Sequence, residues 1–229
     1  MATILHIETS ARTCSVALSQ DGALLLHKED REGPNHAVLC GVFCEEALSF
    51  AESHAIPLDA VAVSQGPGSY TGLRIGVSMA KGIAYGRGVP LVAVLTLPLL
   101  CVPLLLRERV EEGALLVPMI DARRMEVYTA VYDRALKEVR PIQAEIVTEQ
   151  SFSDILAERP VYVFGDGADK CKDVIKHPNA RFLDGIVPLA KNMLPLAERA
   201  FLRGEFQDTA YFEPFYLKEF VAIKSKNLL

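Results

Sequence analysis

The chain has 229 residues, half of them apolar and 23% charged, with a formal net charge of −5. That balance suits a soluble globular protein large enough to bury a core. It excludes disorder, collagen and a disulfide scaffold. The acidic sign works against autonomous, tight binding of RNA or DNA.

Thr3–Glu8 and Cys14–Ser19 are β-rich alternating runs, and Asp21-Gly22 predicts a hairpin turn into a third strand, Ala23–Glu29. After the break at Gly33-Pro34, Val38, Leu39, Val42, Phe43, Leu48 and Ala51 share one stripe of a helix over 36–54. Ala60–Ser64 predicts a short strand, Gln65–Gly68 a tight loop and 69–85 a second helix. The uncharged run Val89–Leu106 carries Pro90, Pro98 and Pro103, which break a spanning helix. It is read as a buried strand, Leu91–Leu95, followed by a buried helix, with no membrane segment.

The same order recurs. Strands are predicted at Ala114–Ile120, Glu126–Asp133 and Ile142–Val147, then a helix over 151–158 capped by Ser151 or Ser153. Val161–Phe164 is the next strand, followed by Gly165-Asp166-Gly167 and a helix to about Lys176. Arg181–Leu183 is a short strand, Pro188–Leu202 a helix, and Tyr211–Leu217 an aromatic, packed tail. The repeat of element order predicts an α/β protein of two duplicated halves, 1–110 and 111–229, divided near Arg107–Gly113. The N-terminus has no signal-peptide pattern. Five cysteines without a Cys-x-x-Cys pair fit reduced thiols in the cytoplasm.

Each half carries an acid at the end of its first strand, Glu8 and Asp121. Each also has a glycine loop after its fourth, with Gly66 and Gly68 in one and Gly165 and Gly167 in the other. At strand C-terminal ends these residues are candidates for a nucleotide cleft; the alternative is that the glycines only make tight turns. Asp121 either pairs with Arg123 or Arg124 or faces a ligand. Gly72, Gly76, Ala80 and Ala84 form a small-residue stripe, either packed on the protein's own sheet or helix, or meeting a helix of another subunit. His36, Cys40 and Cys44 lie one turn apart, yet one helix seldom supplies three metal ligands, and the cysteines are read as core. No catalytic triad or nucleophile elbow follows from the spacing.

Ile7-Glu-Thr-Ser10, Cys14-Ser-Val-Ala-Leu18, His36, Gly66-Pro-Gly-Ser-Tyr-Thr-Gly-Leu-Arg-Ile-Gly76, Ile120-Asp-Ala-Arg123, Glu126-Val-Tyr128 and Glu213-Pro-Phe-Tyr-Leu217 together resemble the TsaB (YeaZ) family. The resemblance implies the actin-like ATPase fold (sugar kinase, Hsp70 and actin superfamily), with two duplicated RNase H-like halves. It implies a role in making N6-threonylcarbamoyladenosine in tRNA, as a non-catalytic partner of the TsaD transferase. Position 40, one turn after His36, is cysteine, so the paired metal-binding histidines of the catalytic relative are missing. The loop Thr9–Thr13 also lacks the usual phosphate-binding glycine. The resemblance further implies contact with a TsaD-like subunit through the helices at 36–54 and 69–85, a homodimer when alone, and a TsaE-like ATPase in the complex. It implies only indirect contact with tRNA, and no cofactor in the isolated chain, with ATP or ADP only in the complex. Its rivals are a stand-alone actin-like-fold ATPase or kinase using Glu8, Asp121 and the glycine loops, and a glycoprotease-type peptidase.

Overall fold

A computed structural model describes residues 2–33, 35–107 and 110–218. Pro34 of the predicted break and residues 108–109 of the predicted boundary lie outside them. The first three strands, β1 (Thr3–Glu8), β2 (Cys14–Gln20) and β3 (Ala23–Asp30), run antiparallel. Asp21 and Gly22 turn the hairpin with φ of 52° and 74°, the left-handed geometry this dipeptide tolerates. The strands β4 (Ala60–Gly66) and β5 (Leu91–Leu95) add in parallel on the other side of β1. The helix α1 (His36–Ser53) leads from β3 into β4, and α2 (Tyr70–Arg87) connects β4 to β5. Both cover one face of the sheet. Cys40, Cys44, Ala47 and Ala51 of α1 and Val77, Ala80 and Ala84 of α2 meet Leu5, Ile7, Val16, Val61 and Val63.

The second sheet repeats the plan. The strands β6 (Leu115–Asp121), β7 (Glu126–Tyr132) and β8 (Glu138–Ile146) are antiparallel, and β9 (Val161–Phe164) and β10 (Ala180–Leu183) are parallel to β6 and to each other. Its helices are shorter than the sequence pattern suggests. The helix expected after Gly167 is only a 3-10 turn, Asp169–Cys171, followed by turns. The helix α4 (Ser153–Glu158) follows Phe152, which takes φ of 63° at the cap position. Ser151 instead accepts from the Thr148 amide at 3.1 Å, so neither serine caps it.

The run Val89–Leu106 has a tertiary explanation. Its helix, α3 (Thr96–Arg107), lies between the sheets. Leu97, Leu100, Cys101 and Leu104 pack on Leu116, Ile120, Tyr132 and Phe164 of the second sheet. Leu99 and Val102 pack on Ile4, Ala62, Val92 and Val94 of the first. A helix apolar all round is buried along most of its length, with Leu106 exposed near its end. No helix among the described residues is long and apolar enough to cross a membrane.

The predicted helix over 188–202 begins as a 3-10 turn, Ala190–Asn192, and continues as α5 (Leu194–Leu202), with Pro195 in its first turn. Met193, Leu196, Ala197 and Ala200 cover the first sheet beside α3. The last strand, β11 (Phe206–Gln207), pairs with β5 at that sheet's edge. Late elements of the segment 111–229 therefore lie on the first half. The five cysteines are free and buried, as core residues.

Candidate functional site

Glu8 ends β1 with its side chain fully buried. One carboxylate oxygen accepts from the Ser10 amide at 2.6 Å and the Ser10 hydroxyl at 2.5 Å. The other has no hydrogen-bond partner among the described residues. Burial raises this carboxyl above its ordinary range, against the pull of the two Ser10 hydrogen bonds and the neighbouring Ser64 hydroxyl. The acid that the sequence places in a cleft is thus folded back on its own loop.

That loop also explains the glycines of α2. The Thr9 hydroxyl donates to the Gly72 carbonyl at 2.8 Å, and the Ser10 carbonyl accepts from the Ser69 amide at 2.7 Å. A Cβ at Gly68 would overlap the Ser10 carbonyl, one at Gly72 the Thr9 carbonyl, and one at Gly76 the Thr9 hydroxyl. Gly72, Gly76, Ala80 and Ala84 are buried against this loop and the sheet. This corrects the reading of the stripe as a partner interface, because no part of it reaches the surface. His36 is buried, with Nε2 2.9 Å from the Ala11 carbonyl, so it anchors the same loop.

In the second half, Lys170 forms an ion pair with Asp121 and also donates to the Glu126 carbonyl at 2.6 Å. Asp121 accepts from the Arg123 amide, not from its guanidinium, and donates its own amide to Asp166. Pairing with an arginine side chain is therefore corrected to pairing with Lys170. A Cβ at Gly165 would overlap the Met119 carbonyl, and one at Gly167 would lie 2.8 Å from the Ile120 carbonyl carbon. Both glycines let the loop cross its own first strand closely.

The tail closes the first glycine loop. The Phe215 amide donates to the Gln65 carbonyl at 2.7 Å, and a Cβ at Gly66 would lie 2.8 Å from the Phe215 carbonyl oxygen. Lys81 of α2 donates to the Ala210 and Phe212 carbonyls at 3.2 and 3.0 Å. Tyr216 packs on Tyr70, with ring centroids 4.8 Å apart, and Lys218 pairs with Glu126 in the second half. Single lysines in a polar background carry no sequence signal, so Lys81, Lys170 and Lys218 escape a reading by motif.

A nucleotide phosphate would need the open amides of a glycine loop, and a nearby acid would serve it only through a bridging cation. Here Ser10 and Phe215 occupy the approaches to Gly68 and Gly66, Glu8 is sealed, and Asp121 is held by Lys170. What remains open is the outer face of α1 and α2. Val38 (68% exposed), Val42 and Tyr85 (83% exposed) project there, with a shallow pocket lined by Tyr70, Thr71, Arg74, Ile75 and Ser78.

Two sheets of like topology, each a three-stranded antiparallel unit extended by parallel strands with helices, define a duplicated RNase H-like protein of the actin-like class. The family model described as TsaD: tRNA N6-adenosine threonylcarbamoyltransferase matches residues 31–224. The tRNA threonylcarbamoyladenosine biosynthesis protein TsaB of Escherichia coli is 32% identical over 232 residues, 96% of each chain. That of Bacillus subtilis is 32% identical over 179 residues, 76% of this chain and 75% of its own. The solved structure of YeaZ from Pseudomonas aeruginosa superposes with a TM-score of 0.75 at 27% identity, covering 95% of this chain and all of that one. The chain belongs to the TsaB family.

Proposed function

We propose that this chain is a non-catalytic, cytoplasmic subunit of the tRNA N6-threonylcarbamoyladenosine machinery that binds and activates a TsaD-like threonylcarbamoyltransferase. The family supports the pathway, since relatives matched along nearly their full length are named for that biosynthesis. The observation that carries the subunit role is the outer face of α1 and α2. It exposes Val38 and Val42 of α1 and Tyr85 of α2, the last beside Gly82 and Gly86, where an added Cβ meets open space. Apolar side chains flanked by small residues let another helix pair approach closely. The same face serves a second copy when the chain is alone, and a TsaE-like ATPase joins the complex.

The stand-alone ATPase or kinase has less support, because both strand-end acids and both glycine loops are engaged by the chain itself. The peptidase has less still, since His36 is committed to the Ala11 carbonyl. We place no nucleotide in the isolated chain, and any ATP or ADP only in the complex. Mass spectrometry of tRNA nucleosides after depletion of this protein tests the reading. Loss of threonylcarbamoyladenosine is expected, and an unchanged amount overturns it.

A further inference from the structure

The connection from β6 to β7 holds two consecutive arginines in left-handed backbone, Arg123 at φ of 73° and Arg124 at φ of 50°. The loop is closed by Ala122 N–H to Glu126 carbonyl and Glu126 N–H to Arg123 carbonyl, each 3.1 Å. Left-handed geometry is unfavourable for a non-glycine residue, and glycine or asparagine normally takes such positions. Arginine offers this turn nothing locally, because both side chains are exposed and neither guanidinium pairs with a carboxylate among the described residues.

The carboxylates around them are already engaged. Asp121 pairs with Lys170, Glu126 with Lys218, and Asp166 accepts from the Asp121 amide. The two guanidiniums thus stand without a carboxylate partner among the described residues, on a chain of net charge −5. Strain kept at adjacent positions in favour of a costly side chain points to use of that side chain. The surroundings select the kind of partner. Between positions 121 and 126 every exposed side chain is charged, and the exposed Ile146 lies outside the turn, opposite Glu126 on β8, whereas a protein interface has an apolar centre. Paired guanidiniums on a polar surface match phosphate oxygens, which they bind in forked geometry.

We propose that Arg123 and Arg124 contact the phosphate backbone of RNA. This rests on the role in tRNA modification proposed above, and it gives this subunit a direct contact where the resemblance implies only an indirect one. The test is filter binding of unmodified tRNA, by the full chain alone and with its TsaD-like partner, over a range of salt. Arg123→Asn/Arg124→Asn removes both charges but suits left-handed backbone, so it should fold and assemble as well as wild type. It should weaken tRNA binding about tenfold near 0.1 M salt and flatten the salt dependence by about 1.5 in log–log slope, as expected for two lost phosphate contacts. Arg123→Lys/Arg124→Lys should retain most of the affinity. Unchanged affinity and slope in the asparagine variant would overturn the proposal. So would loss of the protein partner with RNA binding intact, which would assign the turn to a protein contact. A wild-type complex that binds tRNA without affecting threonylcarbamoyladenosine would overturn the functional reading while leaving the contact standing.

Discussion

The Thr9 carbonyl stands where a side chain at Gly72 would have to be, and the Thr9 hydroxyl donates to the Gly72 carbonyl at 2.8 Å. Through this pair the loop after β1 is seated on the first turn of α2. The same loop carries Ser10, which holds Glu8, and Ala11, which engages His36. The residues that look most like a ligand cradle form one internal joint.

Gly72→Ala should destabilise the protein by about 1–3 kcal/mol, the usual cost of forcing atoms into a packed site. Urea unfolding of the purified variant measures it. A value within a few tenths of wild type would show that α2 shifts freely against the loop. For the same reason Gly76→Leu acts on folding, since its side chain would enter the space of Thr9.

Substitutions on the outer face should behave oppositely. Val38→Glu and Tyr85→Glu alter exposed positions, so stability should stay within about 0.5 kcal/mol of wild type. Association with the TsaD-like subunit should weaken about tenfold or more, as for an interface centre. Calorimetry of the complex decides it, and undiminished affinity in both variants would remove α1 and α2 as the contact.

His6 is fully buried, with Nε2 2.8 Å from the Ser19 hydroxyl, and burial lowers its pKa to about 3. The unfolded chain, with an ordinary histidine near 6.5, binds the proton more readily between those values. This side chain therefore supports the fold above pH 6.5 and withdraws that support as pH falls toward 3. Glu8 works the other way. Its raised pKa contributes stability at pH below the ordinary carboxylate range, which is lost as pH climbs through the folded value. Urea midpoints taken from pH 7.5 to 4 should fall less steeply in His6→Gln than in wild type. Parallel curves would show that His6 is not the titrating group.

Lys81→Met should free the tail from α2 by removing the donor to the Ala210 and Phe212 carbonyls. Limited proteolysis should then cut within 208–218 several-fold faster while the sheets stay protected. Equal cleavage rates would mean that the packing of Phe212 and Tyr216 suffices.

Strands β4, β5 and β9 were legible because a buried strand leaves an apolar run bounded by turn residues, and β1 and β2 because their β-rich residues alternate. The Asp21-Gly22 hairpin was legible from local backbone preference. The short helices after Gly167 and before Leu194 were not. Apolar residues there pack by individual contacts of Cys171, Ile175 and Ala190, without a sustained helical period. The candidate site was half legible. Gly68, Gly72 and Gly76 announce a close approach, but spacing along one helix cannot say what approaches.

The linear sequence determined the duplicated order of strands and helices, the turn at Asp21-Gly22 and the kinship with TsaB, since these rest on local patterns and on motifs spread along the chain. Tertiary structure alone decided that the glycine stripe faces Thr9, that Asp121 pairs with Lys170, and that α5 lies on the first sheet. Each depends on residues far apart in the chain meeting in space, and burial then selects which polar partner satisfies each group.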